Sequence, residues 1–369
     1  MSFRSQHQNP NDDLQLILSY MDIDGGLSKS QKLASCLRSG RPHGLSVGID
    51  LKRRSPTEPS FRCDFSDPAA VASAFLDCHA DFVFANCDFS SYGGELNDIK
   101  QVKSSEERWF ERSDSKSIIP PSTQLTTFRS PHSSLCSSQI VATAQASFPS
   151  SAVVFKDIII DPLQLALAKQ LNCDAALVLA CVVGSELPGL LDIATLINLP
   201  VIVECHTEEE VKIAVENGGE TKRGAKDGRS EATAAASNCV KRSSHVLHSA
   251  TTNNLLLGAL LITAGVILLN RVDRFSGNAF YPDQPFAIRN ALPPGNIITT
   301  LVTGRINDEA SAQSFLDAGF DGVVMGSSLV GNANADKLIR SIKDLEMGEV
   351  RSDKGRSDEL ITLAIKKKH

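Results

Sequence analysis

Ala152-Val153-Val154-Phe155-Lys156-Asp157-Ile158-Ile159-Ile160-Asp161-Pro162-Leu163-Gln164 contains a strand, a turn and a helix start in thirteen residues. A short apolar run rich in Val ends in a charged pair. Asp161-Pro162 then supplies a helix N-cap and a proline at the first helical position, which predicts a helix over 163–171. The run does not alternate apolar with polar residues, so it suits a strand buried on both faces of a parallel sheet.

The same unit recurs on both sides of this stretch. Apolar runs rich in Val, Ile and Leu lie at residues 45–51, 81–85, 152–155, 175–183, 200–203, 266–269, 297–302 and 322–325. Helix starts follow several of them. Asp67-Pro68 precedes 69–78, Thr207-Glu208-Glu209-Glu210 is a capping-box start for a helix ending near Gly218, and Asn307-Asp308-Glu309 opens one ending at Gly319. Eight buried strands alternating with helices specify a single α/β domain, a (β/α)₈ TIM barrel. Residues 1–44 form an N-terminal extension, 45–345 the barrel and 346–369 a polar tail. Ser, Thr and Pro-rich residues at about 101–150, and Ser, Ala, Lys and Gly-rich residues at 218–254, read as largely disordered insertions after strand two and helix five.

Composition excludes other classes. With 42% hydrophobic and 22% charged residues the 369-residue chain can bury a large core. Its net charge of −6 gives no overall field for a polyanion, so nucleic acid is not an expected partner. The nine cysteines (Cys36, Cys63, Cys78, Cys87, Cys136, Cys173, Cys181, Cys205 and Cys239) form no C-x-x-C pair, and those in apolar runs such as Cys181 and Cys205 read as reduced core residues. The first residues show no secretory or transit signal, and the apolar stretch 255–269 is shorter than the roughly 20 residues that span a bilayer. A soluble cytoplasmic protein without membrane association is expected.

In such a barrel, chemistry sits where strands end. Asp50 and Lys52 close strand one and, two residues apart, share a face; Lys52-Arg53-Arg54 also reads as a solvated basic patch. Lys156 closes strand three, either as a proton donor with a desolvated stem or as a rim lysine paired with Asp157. Glu204 closes strand five as a proton-transfer carboxylate, followed by His206 as a loop or cap residue. Thr303-Gly304 and Gly326-Ser327-Ser328 end the last two strands, where glycine backbones and hydroxyls bind phosphate or form ordinary tight turns.

These residues carry a family resemblance. Ile49-Asp50-Leu51-Lys52-Arg53-Arg54-Ser55-Pro56, Tyr92-Gly93-Gly94, Phe155-Lys156-Asp157-Ile158-Ile159-Ile160-Asp161-Pro162-Leu163-Gln164 and Val203-Glu204-Cys205-His206-Thr207-Glu208-Glu209-Glu210 resemble indole-3-glycerol phosphate synthase. The family shows E-I-K-x-x-S-P, F-G-G, R-K-D-F-I-I-D-P-Y-Q and V-E-V-H-x-x-x-E in this order. The resemblance implies a carboxy-lyase of tryptophan biosynthesis. Such an enzyme closes the indole ring of 1-(2-carboxyphenylamino)-1-deoxyribulose 5-phosphate with loss of carbon dioxide and water. It needs no cofactor or metal, and its partners are the phosphorylated substrate and other tryptophan-pathway enzymes. By the same resemblance Lys156 is the general acid that protonates the sugar carbonyl, and Lys52 contacts acidic groups of the substrate and assists dehydration. Glu204 helps remove the proton or the leaving water, and Asp50 stands for the family's strand-one glutamate. Ser55, Asn270, Arg271, Thr303, Gly304, Gly326 and Ser327 are implied as substrate and phosphate contacts.

Three places depart from the family. N-x-R-D becomes Leu269-Asn270-Arg271-Val272 or, in the other register, Asn270-Arg271-Val272-Asp273. E-S-G-I becomes Val302-Thr303-Gly304-Arg305, which is expected to remove a carboxylate from the pocket and add a cation. The N-terminal helix that covers the mouth in the family corresponds here only to residues 14–21. A catalytically impaired, phosphate-ligand-binding barrel and a different sugar-phosphate barrel enzyme are the alternatives.

Overall fold

The computed structural model describes residues 12–19, 32–37, 44–96, 98, 151–218, 265–273, 279–292 and 298–346. The expected insertion at 101–150, nearly all of that at 218–254, Cys136, Cys239 and almost all of the tail lie outside these residues. Eight parallel strands form a closed barrel: β1 Ser46–Leu51, β2 Phe82–Asn86, β3 Ala152–Lys156, β4 Ala175–Leu179, β5 Val201–Cys205, β6 Val266–Asn270, β7 Thr299–Thr303 and β8 Gly322–Met325. Each strand pairs with the next, and β8 returns to β1 with Ser46 opposite Gly322 and Ile49 opposite Met325. The expected (β/α)₈ barrel is the observed fold.

Strand alternation divides the apolar residues into two layers. Phe82, Phe84, Val154, Leu177, Ile202 and Leu268 join one cluster inside the barrel, while Val83, Phe155, Val178, Val203, Ile267 and Val302 pack outward against the helices. Helical residues 32–37 add Leu33, Cys36 and Leu37 to the inner cluster. Ser46 Oγ, at the first residue of β1, hydrogen bonds to the carbonyls of Cys36 and Leu37 at 3.2 and 2.9 Å. This piece of the N-terminal extension therefore seals the end of the barrel where the strands begin. A second piece, the helix Asp13–Ser19, packs Leu14 against Leu163 and Ala166 of the helix after β3.

Three buried aspartates fix where strands start. Asp81, Asp174 and Asp321 stand immediately before β2, β4 and β8, and each accepts a backbone N–H from the preceding strand: Val47 at 2.7 Å, Val153 at 2.9 Å and Thr300 at 2.7 Å. Two residues ahead of each aspartate the chain leaves its helix through a left-handed residue: His79 (φ 72°), Asn172 (φ 58°) and Gly319 (φ 79°). Lys343 and Lys32 then neutralise Asp81 and Asp174 at 2.7 and 3.1 Å. A hydrogen bond to an ionised acceptor is stronger than a neutral one. The strands are thereby tied together at the end opposite the mouth.

The helix starts follow the sequence. Asp67 accepts from Ala70, Asp308 accepts from Ser311 at 2.7 Å, and Asp161 forms a capping box with Gln164. One strand boundary differs from expectation. The run 175–183 divides: β4 stops at Leu179, and Ala180–Val183 is a helical turn that buries Ala180 and Val183 and leaves Val182 40% exposed. A continuous apolar run carries no period to separate a strand from the helix behind it. Cys181 sits on this turn, half-buried, rather than in a strand; Cys63, Cys78 and Cys87 are also half-buried, and Cys36, Cys173 and Cys205 are core. The apolar stretch 255–269 ends in β6, and no described helix is long and apolar enough to cross a membrane.

Candidate active site

The barrel brings polar strand ends to one mouth. Asp50 lies on the inward face of β1, Asn86 ends β2, and Lys156 ends β3 directly opposite Asn86 in register. Asp50 Oδ1 accepts from Lys156 Nζ and from Asn86 Nδ2, both at 2.8 Å, and its other oxygen lies 3.5 Å from Lys52 Nζ. Lys156 is thus paired with Asp50 and not with Asp157. Burial alone would raise the Asp50 carboxyl, but the charges of Lys156 and Lys52, with hydrogen bonds from Lys156 and Asn86, hold it well below the usual carboxylate range. The Lys156 ammonium also sits 4.7 Å from the centre of the Tyr92 ring.

The rest of the Lys156 segment is scaffolding. Gln164 donates to Asp157 at 3.0 Å and to the Ile158 carbonyl at 2.9 Å, and its oxygen accepts from Ile160 at 2.8 Å and Asp161 at 3.1 Å. One amide side chain closes the whole loop after β3, which fixes the end of the strand that presents Lys156. The basic run after β1 divides in the same way. Lys52 faces the cavity, Arg53 forms a two-pronged pair with Asp98 and stacks 4.3 Å over Phe65, and Arg54 lies 5.0 Å from the Phe89 ring. It is not a solvated patch.

Across the mouth, Glu204 on β5 is 1% exposed, and its Oε1 accepts from Asn270 Nδ2 at 2.8 Å. Behind it His206 is buried between two carboxylates, with Nε2 3.7 Å from Glu204 and Nδ1 3.6 Å from Glu210. Its backbone N–H also donates to Glu210 at 2.6 Å, so the loop reading of His206 holds for its main chain, while its ring packs behind Glu204 and is not part of the cavity lining. Burial disfavours the charged ring, but the neighbouring Cys181, Glu210 and Glu204 outweigh it and push His206 up to about 10. The stabilisation from the charged ring is therefore complete below its unperturbed value of 6.5, and is lost as pH rises through 6.5 towards 10. Denaturant titrations from pH 6.5 to 10 should show stability falling more steeply for wild type than for His206→Gln. Parallel pH profiles would contradict this charge state.

Asp50, Lys52, Lys156, Glu204 and Asn270 line one cavity of about 300 Å³, together with Ser55, Thr303, Gly304, Arg305, Gly326, Ser327 and Ser328 at the rim and Phe84, Tyr92, Leu177 and Leu268 as apolar wall. Gly326 lies close under the Lys52 side chain: a Cβ there would stand 2.8 Å from Lys52 Cε and would push the ammonium end aside. Among the described residues no three His, Cys, Asp or Glu side chains form a metal-ligating group.

Ten of the eleven expected site residues meet here: Asp50, Lys52, Ser55, Lys156, Glu204, Asn270, Thr303, Gly304, Gly326 and Ser327. Arg271 does not. Asn270 points inward, so alternation turns Arg271 out, where its guanidinium stacks 4.6 Å from Phe280 and 5.2 Å from Phe315, and brings Val272 to the cavity. The register Asn270-Arg271-Val272-Asp273 is the one that the fold selects. Val302 packs in the layer between barrel and helices and is not among the residues that line the cavity. Asn86 was missed, although it ends a buried apolar run just as Lys156 does.

A family model described as indole-3-glycerol phosphate synthase matches residues 15–221, more than half of the 369-residue chain. The chain belongs to the indole-3-glycerol phosphate synthase family. Relatives of that name include the protein of Thermoanaerobacter pseudethanolicus, 33% identical over 53% of this chain and 57% of that one. The protein of Chlorobium phaeovibrioides is 36% identical over 58% of this chain and 64% of that one, and that of Leptospira interrogans is 23% identical over 48% and 53%. The chain spans about half the length of most of the curated relatives it matches. The family match covers Lys52, Lys156 and Glu204 and ends before β6, so Val272 and Arg305 lie beyond it.

Proposed function

We propose that the chain closes the indole ring of 1-(2-carboxyphenylamino)-1-deoxyribulose 5-phosphate, with loss of carbon dioxide and water. The observation that carries this reading is a buried ammonium, Lys156, and a buried carboxylate, Glu204, on strands across one cavity. A condensation followed by a dehydration needs both an acid and a base, each contributing about 10² to 10⁴-fold.

In this reading the aromatic ring lies against Phe84, Leu177 and Leu268, and the phosphate lies at the rim of β7 and β8. The ring carbon bearing the carboxylate attacks the sugar carbonyl as Lys156 gives its oxygen a proton, and the bond to carbon dioxide then breaks to restore the aromatic ring. Lys52 protonates the hydroxyl that leaves as water, while Glu204 takes the proton released as the new double bond forms. Asp50 holds both lysines at their stations, and Asn270 does the same for Glu204.

Mixing purified full chain with the substrate should generate indole fluorescence that grows with enzyme concentration. A folded protein that gives no signal rejects the reading. The second reading, a barrel that binds a phosphorylated ligand without turnover, is favoured by Val272 at the cavity wall. It predicts tight binding of indole-3-glycerol phosphate and a silent assay.

A further inference from the structure

We infer that Arg305 grips the phosphate of the ligand at the rim of this cavity, in place of the strand-six arginine that the family pattern has at position 272. This rests on the proposed function for the identity of the ligand, but not for the presence of an anion site.

The wall itself leaves a gap. Val272 occupies the inward position after Asn270, and a valine offers nothing to an anion. Arg271 cannot fill it: its side chain is turned away from the cavity beside Phe280 and Phe315, with Nε and Nη1 buried and without a hydrogen-bond partner among the described residues. Arg305 reaches the cavity from the next strand instead. β7 ends at Thr303, and the next two residues, Gly304 (φ 101°) and Arg305 (φ 53°), are both left-handed, with Arg305 among the lining residues. A left-handed arginine is strained, and such strain concentrates at functional sites. Its guanidinium lies 4.8 Å from the centre of the same Phe280 ring that Arg271 stacks on, which limits the orientations it samples.

Charge points the same way. Lys156 and Lys52 both face Asp50. Arg305 has, among the described residues, no carboxylate partner. It adjoins Gly304 and shares the rim with Ser327 and Ser328, at the ends of the two strands where barrels of this kind hold phosphate. A planar guanidinium meets phosphate with two parallel hydrogen bonds, which lysine cannot reproduce.

Calorimetric titration of the full chain tests this with three probes: indole-3-glycerol phosphate, inorganic phosphate and phosphate-free indoleglycerol. Arg305→Met should weaken both phosphate-bearing probes by about 10- to 100-fold and leave indoleglycerol unchanged. Arg305→Lys should recover part of the loss, and Arg271→Met should change phosphate affinity by less than Arg305→Met does. Thermal melts establish that each variant is folded. Equal phosphate affinity in wild type and Arg305→Met overturns the inference, as does a wild type that binds neither phosphate-bearing probe. If Arg305→Met weakens indoleglycerol as well, the residue holds the body of the ligand and the inference also fails. A silent turnover assay with Arg305-dependent phosphate binding would reject the synthase reading and keep this one.

Discussion

Lys156→Met is expected to lower the rate of indole formation by about 10² to 10⁴-fold, the range for loss of a positioned general acid, while the protein remains folded. Methionine fills most of the volume of the lysine stem among Phe84, Tyr92 and Asp50, so packing changes little. What is lost is the proton donor that the end of β3 presents over Asp50 and, with it, the nearer of the two counter-charges of Asp50, so the denaturant midpoint should fall as well. If indole fluorescence persisted at the wild-type rate in Lys156→Met, proton transfer would have to come from another group, and the assignment of the acid would fail.

The second large effect is expected at Asp50. In Asp50→Asn the side-chain oxygen remains as an acceptor, but the negative charge between two buried or half-buried ammonium groups disappears. Removing one partner of a buried pair costs about 3 to 5 kcal/mol, far more than loss of a surface ion pair. Denaturant midpoints at pH 7 should therefore fall strongly, and activity should fall with them because Lys156 and Lys52 lose the group that positions them. The sign against pH follows from the direction of the Asp50 shift. A carboxylate held below its usual range stabilises the fold above its unfolded value of about 3.9, and loses that contribution as pH falls further. The gap between wild type and Asp50→Asn should be full at neutral pH and should narrow below about pH 4. A variant as stable as wild type at pH 7 would show that Asp50 is not the counter-charge described here.

Much of this was legible in the sequence because each βα unit announces itself locally. The segment from Ala152 to Gln164 contains its own strand end, turn chemistry and helix cap, and it folds as read. Lys156 and Glu204 were legible for the same reason: a charge that closes an apolar run has no place except a mouth. What local patterns do not carry is pairing across the barrel. Nothing near Lys156 in the chain identifies Asp50, more than a hundred residues away, as its partner in preference to adjacent Asp157. Asn86 and Tyr92 meet Lys156 only through strand register and the loop after β2. Arg271 shows the opposite case, since residue type favoured it as a contact while alternation along β6, readable only once Asn270 is anchored to Glu204, excludes it. The boundary after Leu179 was hidden because strand and helix there are equally apolar.

The most direct measurement follows the carboxyl carbon. Purified full chain is supplied with substrate labelled in the carboxylate, and released carbon dioxide is counted beside indole fluorescence, with Lys156→Met as control. One labelled carbon dioxide released per indole formed in wild type, and neither product above background in the variant, is the predicted result. Folded wild-type protein that releases no labelled carbon dioxide, or variant protein that releases it as fast, would contradict the account.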